Sequence, residues 1–269
     1  MANLSKALQV SPGTHFKIAD VDPEETHGYK KNDAADLLQK NLKDLAVQQY
    51  LLYAEQHRAL LVVLQGIDAA GKDGTIKHVM TGMNPQGVHV TPFKVPEGPE
   101  RRHDYLWRVH NAVPEYGMIG IFNRSHYEDV LIARVHDLVP KAEWSKRYQQ
   151  INDFERMLSE NRVRIVKFML YISKEEQAKR FQARLDDKTK EWKFSQADLK
   201  EREYWDQYIA AYEEALRRCS TADAPWYVIP SNKKWFRNLA VSEIVLRTLE
   251  SMKLKYPKPA EDLSQIRFE

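Results

Sequence analysis

Cysteine is almost absent: Cys219 is the single such residue among 269. One thiol cannot close an intramolecular disulfide and has no companions for a metal site. Nothing near it in the chain is built to ionise it, so a thiol catalyst is not expected. Long apolar runs are missing too. No stretch approaches the roughly 20 apolar residues of a membrane-spanning helix, and the start "MANLSKALQVSPGTHFK" has no apolar core followed by a small-residue cleavage site, so a cytoplasmic protein is expected. Neither sign of charge dominates. The formal net charge is +3, and basic pairs such as Lys30-Lys31, Arg101-Arg102, Arg217-Arg218 and Lys233-Lys234 are scattered rather than massed. With no base-reading module either, nucleic-acid binding is a distant reading.

What is present is an alternation. With 43% hydrophobic and 29% charged residues, the chain is long enough for one substantial α/β domain with additions. After some thirty residues without periodicity, read as an arm over 1–32, "DAADLLQKNLKDLAVQQYLLYAEQ" carries Leu38, Leu42, Leu45 and Leu52 near 3.6 spacing and predicts a long packing helix. Then comes "RALLVVLQGID", a continuous apolar run of strand length. "GVHVTPFKV", "YGMIGIFNR", "RIVKFMLYI" and "APWYVIPS" resemble it, each separated from the next by enough chain for a crossover helix. This pattern predicts a three-layer α/β fold with five parallel strands in a single domain, 1–269. The charged helical stretch between the fourth and fifth strands breaks near Asp186 to Lys190 and exceeds a plain crossover, which suggests a mobile basic lid over 173–205. "RRHDYLWRVH" reads as a helix, and the tail after Pro257 as a loose arm.

The chemistry centres on "GIDAAGKDGT", where Gly66-x-x-x-x-Gly71-Lys72 follows an apolar strand and precedes a helix with Ile76, Val79, Met80 and Met83 on one face. In that setting the glycines let backbone N–H groups turn toward phosphate, the helix start adds its positive end, and Lys72 adds a charge. A tight turn with a stray lysine is the plain alternative. Asp73 stands where such loops place Ser or Thr, and Asp68 lies inside the loop. Mg2+ is held by one or two carboxylates together with substrate phosphates, so Asp68 is the candidate ligand, with Mn2+ as an alternative ion. Asp73 either heads the helix, where the dipole favours it, or joins the metal. At the end of the third strand, where an acidic residue commonly helps to hold Mg2+, this chain has Asn123-Arg124, followed by Glu128 and Asp129. Asn123 is a poor general base, which fits an acceptor that is itself a phosphate, already anionic near neutral pH. Arg124 can fork onto phosphate oxygens. Arg180 and Arg184 share a helical face, with Lys188, Lys190 and Lys193 behind them. Arg184 is the preferred lid contact, and Lys233, Lys234 and Arg237 follow the last strand. His103, His110 and His126 lack metal-site spacing, and the tryptophans are read as packing residues.

Taken together, "GIDAAGKDGT", "NPQGV", "DYLWRVH", "FNRSHYEDV", "RLDDKTKEWKFS" and "WYVIPSNKKWFRN" resemble the polyphosphate kinase 2 family over most of the chain. The resemblance implies a P-loop kinase core like that of thymidylate kinase with a helical lid, and Mg2+-dependent, reversible transfer of phosphate between inorganic polyphosphate and AMP or ADP. It implies catalytic roles for Asp68, Lys72, Asn123, Arg124 and Arg184, with Asp68 on the metal. The loop residues Gly66, Ala69, Ala70, Gly71, Lys72, Asp73 and Gly74 are expected to cradle phosphate. Lys77, Arg134, Lys233, Lys234 and Arg237 are expected along a basic channel for the polymer. Asn84, Pro85, Gly87, Arg124, Glu128 and Asp129 are assigned to the nucleotide. A homo-oligomer, dimer or tetramer, is expected, without nucleic acid or membrane as partner. The residues alone stop earlier, at a Mg2+-dependent phosphotransferase with a phosphate acceptor. They leave open an ATP-dependent nucleoside monophosphate kinase and a non-catalytic nucleotide or polyphosphate binder.

Overall fold

The computed structural model describes residues 3–263, 266 and 267. At its centre lies β1 (Ala59–Gln65), whose seven residues are all buried. A strand covered by helices on both faces has no solvent side, hence the unbroken apolar run. Around it stand β2 (Val88–Pro92), β3 (Ile119–Asn123), β4 (Val163–Tyr171) and β5 (Trp226–Pro230). They form one sheet in the order β2-β3-β1-β4-β5, with every neighbouring pair parallel. All five expected stretches are therefore strands, though β2, at the sheet edge, is half-buried or exposed throughout.

The helices are α1 (Leu4–Ala7), α2 (Lys31–Glu55), α3 (Lys72–Val79), α4 (Trp107–His110), α5 (Ile132–Val135), α6 (Lys141–Glu160), α7 (Lys174–Leu185), α8 (Gln196–Glu201), α9 (Trp205–Cys219) and α10 (Lys234–Ser251). α2 lies along α10, burying Leu42, Leu45 and Leu52, and Asn41 donates to Ser242 Oγ across the seam at 3.0 Å. It stops at Gln56, which turns left-handed (φ 54°) and returns its N–H to Leu52. Among the described residues no helix is long and apolar enough to cross a membrane.

One local expectation gains detail and one changes. The N-terminal arm is part of the core: Leu4, Leu8, Val10 and Ile18 are buried, and Val10 and Leu8 exchange backbone hydrogen bonds with Trp226 and Val228 of β5. The segment thus covers a sheet edge that would otherwise present unpaired backbone groups. It is too short to show periodicity. "RRHDYLWRVH" is helical only over Trp107–His110, because His103 is extended (φ −122°, ψ 168°) and stacks on Trp107 instead of sharing a helix face with His110. The β2 to β3 connection therefore lacks a full crossover helix. The described residues after Pro257 are exposed, while 264, 265, 268 and 269 of that tail and 1 and 2 of the arm lie outside the described residues.

Cys219 is fully buried at the end of α9, its Sγ donating to Tyr148 O, and burial pushes its thiol pKa up to about 12. The reactive species is the thiolate, so the folded protein is expected to resist an aromatic disulfide reagent for hours and to react with one equivalent on unfolding. Prompt labelling of folded protein would mean that α9 opens readily.

Candidate active site

The loop after β1 is built by close approach. Gly66 has φ +153°, and a Cβ there would lie 2.7 Å from the carbonyl oxygen of Leu170 on β4. Gly71 has φ +108°, and a Cβ there would lie 1.9 Å from Arg237 Nη1. Both positions need glycine on conformational and steric grounds. Between them Ala69 is also left-handed (φ 64°). The carbonyls of Ala69 and Ala70 turn back to accept from Arg180 Nη1, each at 2.9 Å. α3 starts directly at Lys72, so its unpaired first-turn N–H groups face the same space.

That space is a cleft of about 550 Å³ at the carboxyl ends of the strands, where open α/β sheets bind ligands. Nine Lys or Arg side chains line it against two carboxylates, Asp68 and Asp73. Asp68 Oδ1 accepts from Arg124 Nη2 at 2.9 Å, and Asp73 Oδ1 from Asn123 Nδ2 at 2.9 Å, which ties the loop to the end of β3. Lys72 Nζ rests on the carbonyls of Gly66 (2.5 Å) and Ile67 (3.4 Å). Burial, helped by the charge of Arg124, lowers its pKa. Burial opposes the charge on Arg124 as well, but Glu128 and Asp68 more than offset it and raise its pKa. Arg184, from α7, donates to Lys193 O at 3.1 Å and reaches Asp198 at 3.4 Å. Lys193 stands 4.0 Å from Asp73 across the opening. Arg237 is almost fully buried beneath the loop, its pKa pushed down to about 10 by burial and by Arg180.

The structure brings together Asp68, Ala69, Gly71, Lys72, Asp73, Gly74, Asn123, Arg124, Arg180, Arg184, Lys190, Lys193, Lys234 and Arg237 of the residues singled out in the sequence. Ala70 is buried behind this surface and Gly66 lies on its far side. Other assignments do not converge. Arg134 packs between helices instead: it pairs with Glu214 at 2.6 Å and lies 4.7 Å over the ring of Trp144. Lys233 is turned to Glu24 of the N-terminal arm, and Lys77 is exposed away from the cleft. Asn84, Pro85 and Gly87 form a turn against α2, with Asn84 N–H donating to Gln49 at 3.1 Å. Asp129 is held by Arg147 at 2.9 Å, and burial raises its pKa to about 6 despite that partner. His78, Phe93 and Lys94, which the sequence did not single out, extend the cleft toward β2; the end of the second strand was the signal available.

A second cavity, about 200 Å³, opens on the other side of the Asp68–Arg124 pair. Its chemistry is opposite. Asp68, Glu128, Asp198 and Glu201 outnumber Arg124 and Arg202, and Leu131, Ile132, Trp205, Tyr208 and Tyr212 supply apolar and aromatic walls. Glu128 accepts from Gln65 at 2.9 Å, and burial, reinforced by Asp68, raises the pKa of Asp198. α8 and the residue after it supply Asp198, Glu201 and Arg202 to this cavity, and Glu201 bonds His136 at 2.9 Å and accepts from Tyr208 at 2.8 Å.

Comparison with known proteins gives a consistent result. A family model described as polyphosphate kinase 2 matches residues 28–257. The AMP/ADP-polyphosphate phosphotransferase of Meiothermus ruber is 49% identical over 266 residues, 98% of this chain and 100% of that protein. The ADP-polyphosphate phosphotransferase of Rhodopseudomonas palustris is 48% identical over 248 residues, 86% of each chain. The crystal structure of a polyphosphate kinase 2 from Arthrobacter aurescens TC1 superposes with a TM-score of 0.94 at 47% identity, covering 98% of this chain and 94% of that one.

Proposed function

Because this chain belongs to the polyphosphate kinase 2 family, we propose that it moves a phosphoryl group reversibly between inorganic polyphosphate and an adenine nucleotide, with AMP, ADP or both as acceptor. The observation that carries this reading is the pair of cavities of opposite character that meet at Asp68 and Arg124. The open basic cleft suits a chain of phosphates. The small acidic and aromatic cavity repels phosphates but suits a base and the hydroxyls of a ribose, which can donate to Glu128, Asp198 or Glu201. In this reading the nucleoside lies under the lid, and its terminal phosphate reaches Arg124.

At that meeting point the acceptor oxygen is already anionic, so Asn123 serves without acting as a base. Lys72, Arg124 and Arg184 supply positive charge to the transferring group, and the loop N–H groups orient it. Among the described residues no group of three or more His, Cys, Asp or Glu could hold a metal by itself. Among the described residues only Oδ1 of Asp68 is hydrogen-bonded, which leaves Oδ2 available. A one-carboxylate site fits Mg2+, which takes its remaining ligands from phosphates and water. When bound, the ion neutralises phosphate charge.

The test is to incubate the purified protein with Mg2+ and long-chain polyphosphate, with AMP or ADP in parallel, and to separate the nucleotides. ADP or ATP should form only when polymer and metal are both present, and a chelator should stop the reaction. Transfer that requires ATP and a nucleoside monophosphate, with polyphosphate inert, would replace this reading with an ATP-dependent kinase.

A further inference from the structure

Arg180 sits on α7, one turn before Arg184, and is the more deeply buried of the two. Every N–H of its guanidinium is committed. Nε donates to Glu176 Oε1 at 2.8 Å. Nη1 donates to Ala69 O and Ala70 O, both at 2.9 Å. Nη2 donates to Ser231 O at 2.5 Å and to Asn232 O at 3.1 Å. A guanidinium has five N–H donors, so none remains for a phosphate oxygen, although the side chain borders the cleft.

The four carbonyls belong to two segments far apart in sequence, the phosphate loop and the turn after β5, and the arginine comes from the root of the lid. Asn232 reinforces the junction, since its Oδ1 accepts from Ser173 N–H, the cap of α7, at 3.0 Å. In a trans peptide the C=O and N–H point in opposite directions. With the Ala70 carbonyl drawn to Arg180, the Gly71 N–H points the opposite way, and Gly71 itself lines the cleft. Among the described residues that N–H has no hydrogen-bond partner.

We propose that Arg180 is a positioning residue for phosphoryl transfer: it holds the carbonyls of Ala69 and Ala70 back so that the Gly71 N–H meets the phosphate, and it fixes the root of the lid to the loop. The root of α7 is thereby fixed to the loop, and Arg184, one turn further on, is held over the cleft. This inference rests on the phosphotransfer reading above.

The experiment uses the full chain and two variants, Arg180→Lys and Arg180→Ala, assayed below their melting temperatures with polyphosphate and nucleotide varied separately. An ammonium group has three donors and no planar fork, so Lys cannot span both segments. Both variants should lose about tenfold to a hundredfold in kcat, the scale expected when catalytic groups are misplaced by about an ångström, with little change in the nucleotide KM. Guanidinium ion added at millimolar, non-denaturing concentration should restore part of the Arg180→Ala rate. If both variants melt earlier but turn over normally while folded, Arg180 is a structural brace only. If the polyphosphate KM rises at constant kcat, Arg180 contacts the polymer directly. Either result overturns the proposal. An Arg180→Ala chain that does not fold leaves Arg180→Lys to decide, and a folded wild-type chain without transfer activity overturns the functional reading instead.

Discussion

Lys72→Ala is expected to lower phosphoryl transfer by a hundredfold or more while leaving the fold intact. The side chain lies at the start of α3, against the carbonyls of Gly66 and Ile67 and beside the Asp68–Arg124 pair. It is held there in a desolvated setting that lowers its pKa. A phosphate chain entering the cleft offers this ammonium a better partner than two neutral carbonyls. Losing one preorganised charge aimed at a transferring group costs about 3 to 4 kcal/mol of barrier. The backbone should tolerate the loss, since Gly66 N–H keeps its bond to Tyr212 at 3.1 Å and the Ala69 and Ala70 carbonyls keep theirs to Arg180. Initial rates at saturating polyphosphate and nucleotide, with far-UV circular dichroism alongside, check both halves. Near-normal turnover in a folded variant would remove Lys72 from the chemistry.

Glu155→Ala should have the largest effect on stability, a loss of about 3 to 5 kcal/mol, because it strips the partner from a buried charge. Lys167 on β4 and Glu155 on α6 form an ion pair with essentially no solvent exposure. Glu155 also accepts from Tyr127 at 3.0 Å and bonds His126 at 3.1 Å, and Lys167 donates to Cys219 O at 2.7 Å. Burial disfavours the carboxylate, but Lys167 and His126 outweigh it and hold its pKa below the ordinary glutamate value. A depressed carboxylate pKa contributes stability that is present above the unfolded value and is lost as pH falls through the folded one. The wild type should therefore lose more stability on acidification below about pH 4 than a variant without the pair. Glu155→Leu combined with Lys167→Met should recover much of the loss of the single variant, since well-packed apolar replacements of a buried pair are often neutral. Thermal melts of the three proteins decide the matter. A single variant as stable as the wild type would mean that water reaches Lys167. Neither residue lines either cavity, so turnover below the melting temperature should be unchanged.

Which cations belong to the cleft was only partly legible, and the failures share a cause. Arg134 looked like a channel residue until Glu214, 80 positions away, was brought to it. Lys233 was drawn off by Glu24, 209 positions away. Arg180 was grouped with Arg184 by helical spacing, yet it serves carbonyls 110 and 111 positions upstream. A cation's duty depends on the nearest acceptor in space, and spacing along a helix reports only which face it shares. The same limit hid the second cavity. Trp205 read as a packing residue, and so it is, but together with Tyr208 and Tyr212 it forms a wall of the cavity that Arg124 and Glu128 also line.

By itself the sequence determined the five parallel strands, the long α2 helix, the tight loop after β1 with its two required glycines, and the broken charged segment between β4 and β5. These follow from local signals: unbroken apolar runs, 3.6-residue spacing and the Gly-Lys pattern each act within a few residues of themselves. Only the tertiary structure decided that the N-terminal arm closes a sheet edge, which arginines line the cleft and which hold backbone, and that a basic cleft and an acidic cavity meet at one ion pair. Those outcomes depend on electrostatics and hydrogen-bond satisfaction between segments far apart in the chain, where the energy of a charge is set by its neighbours in space.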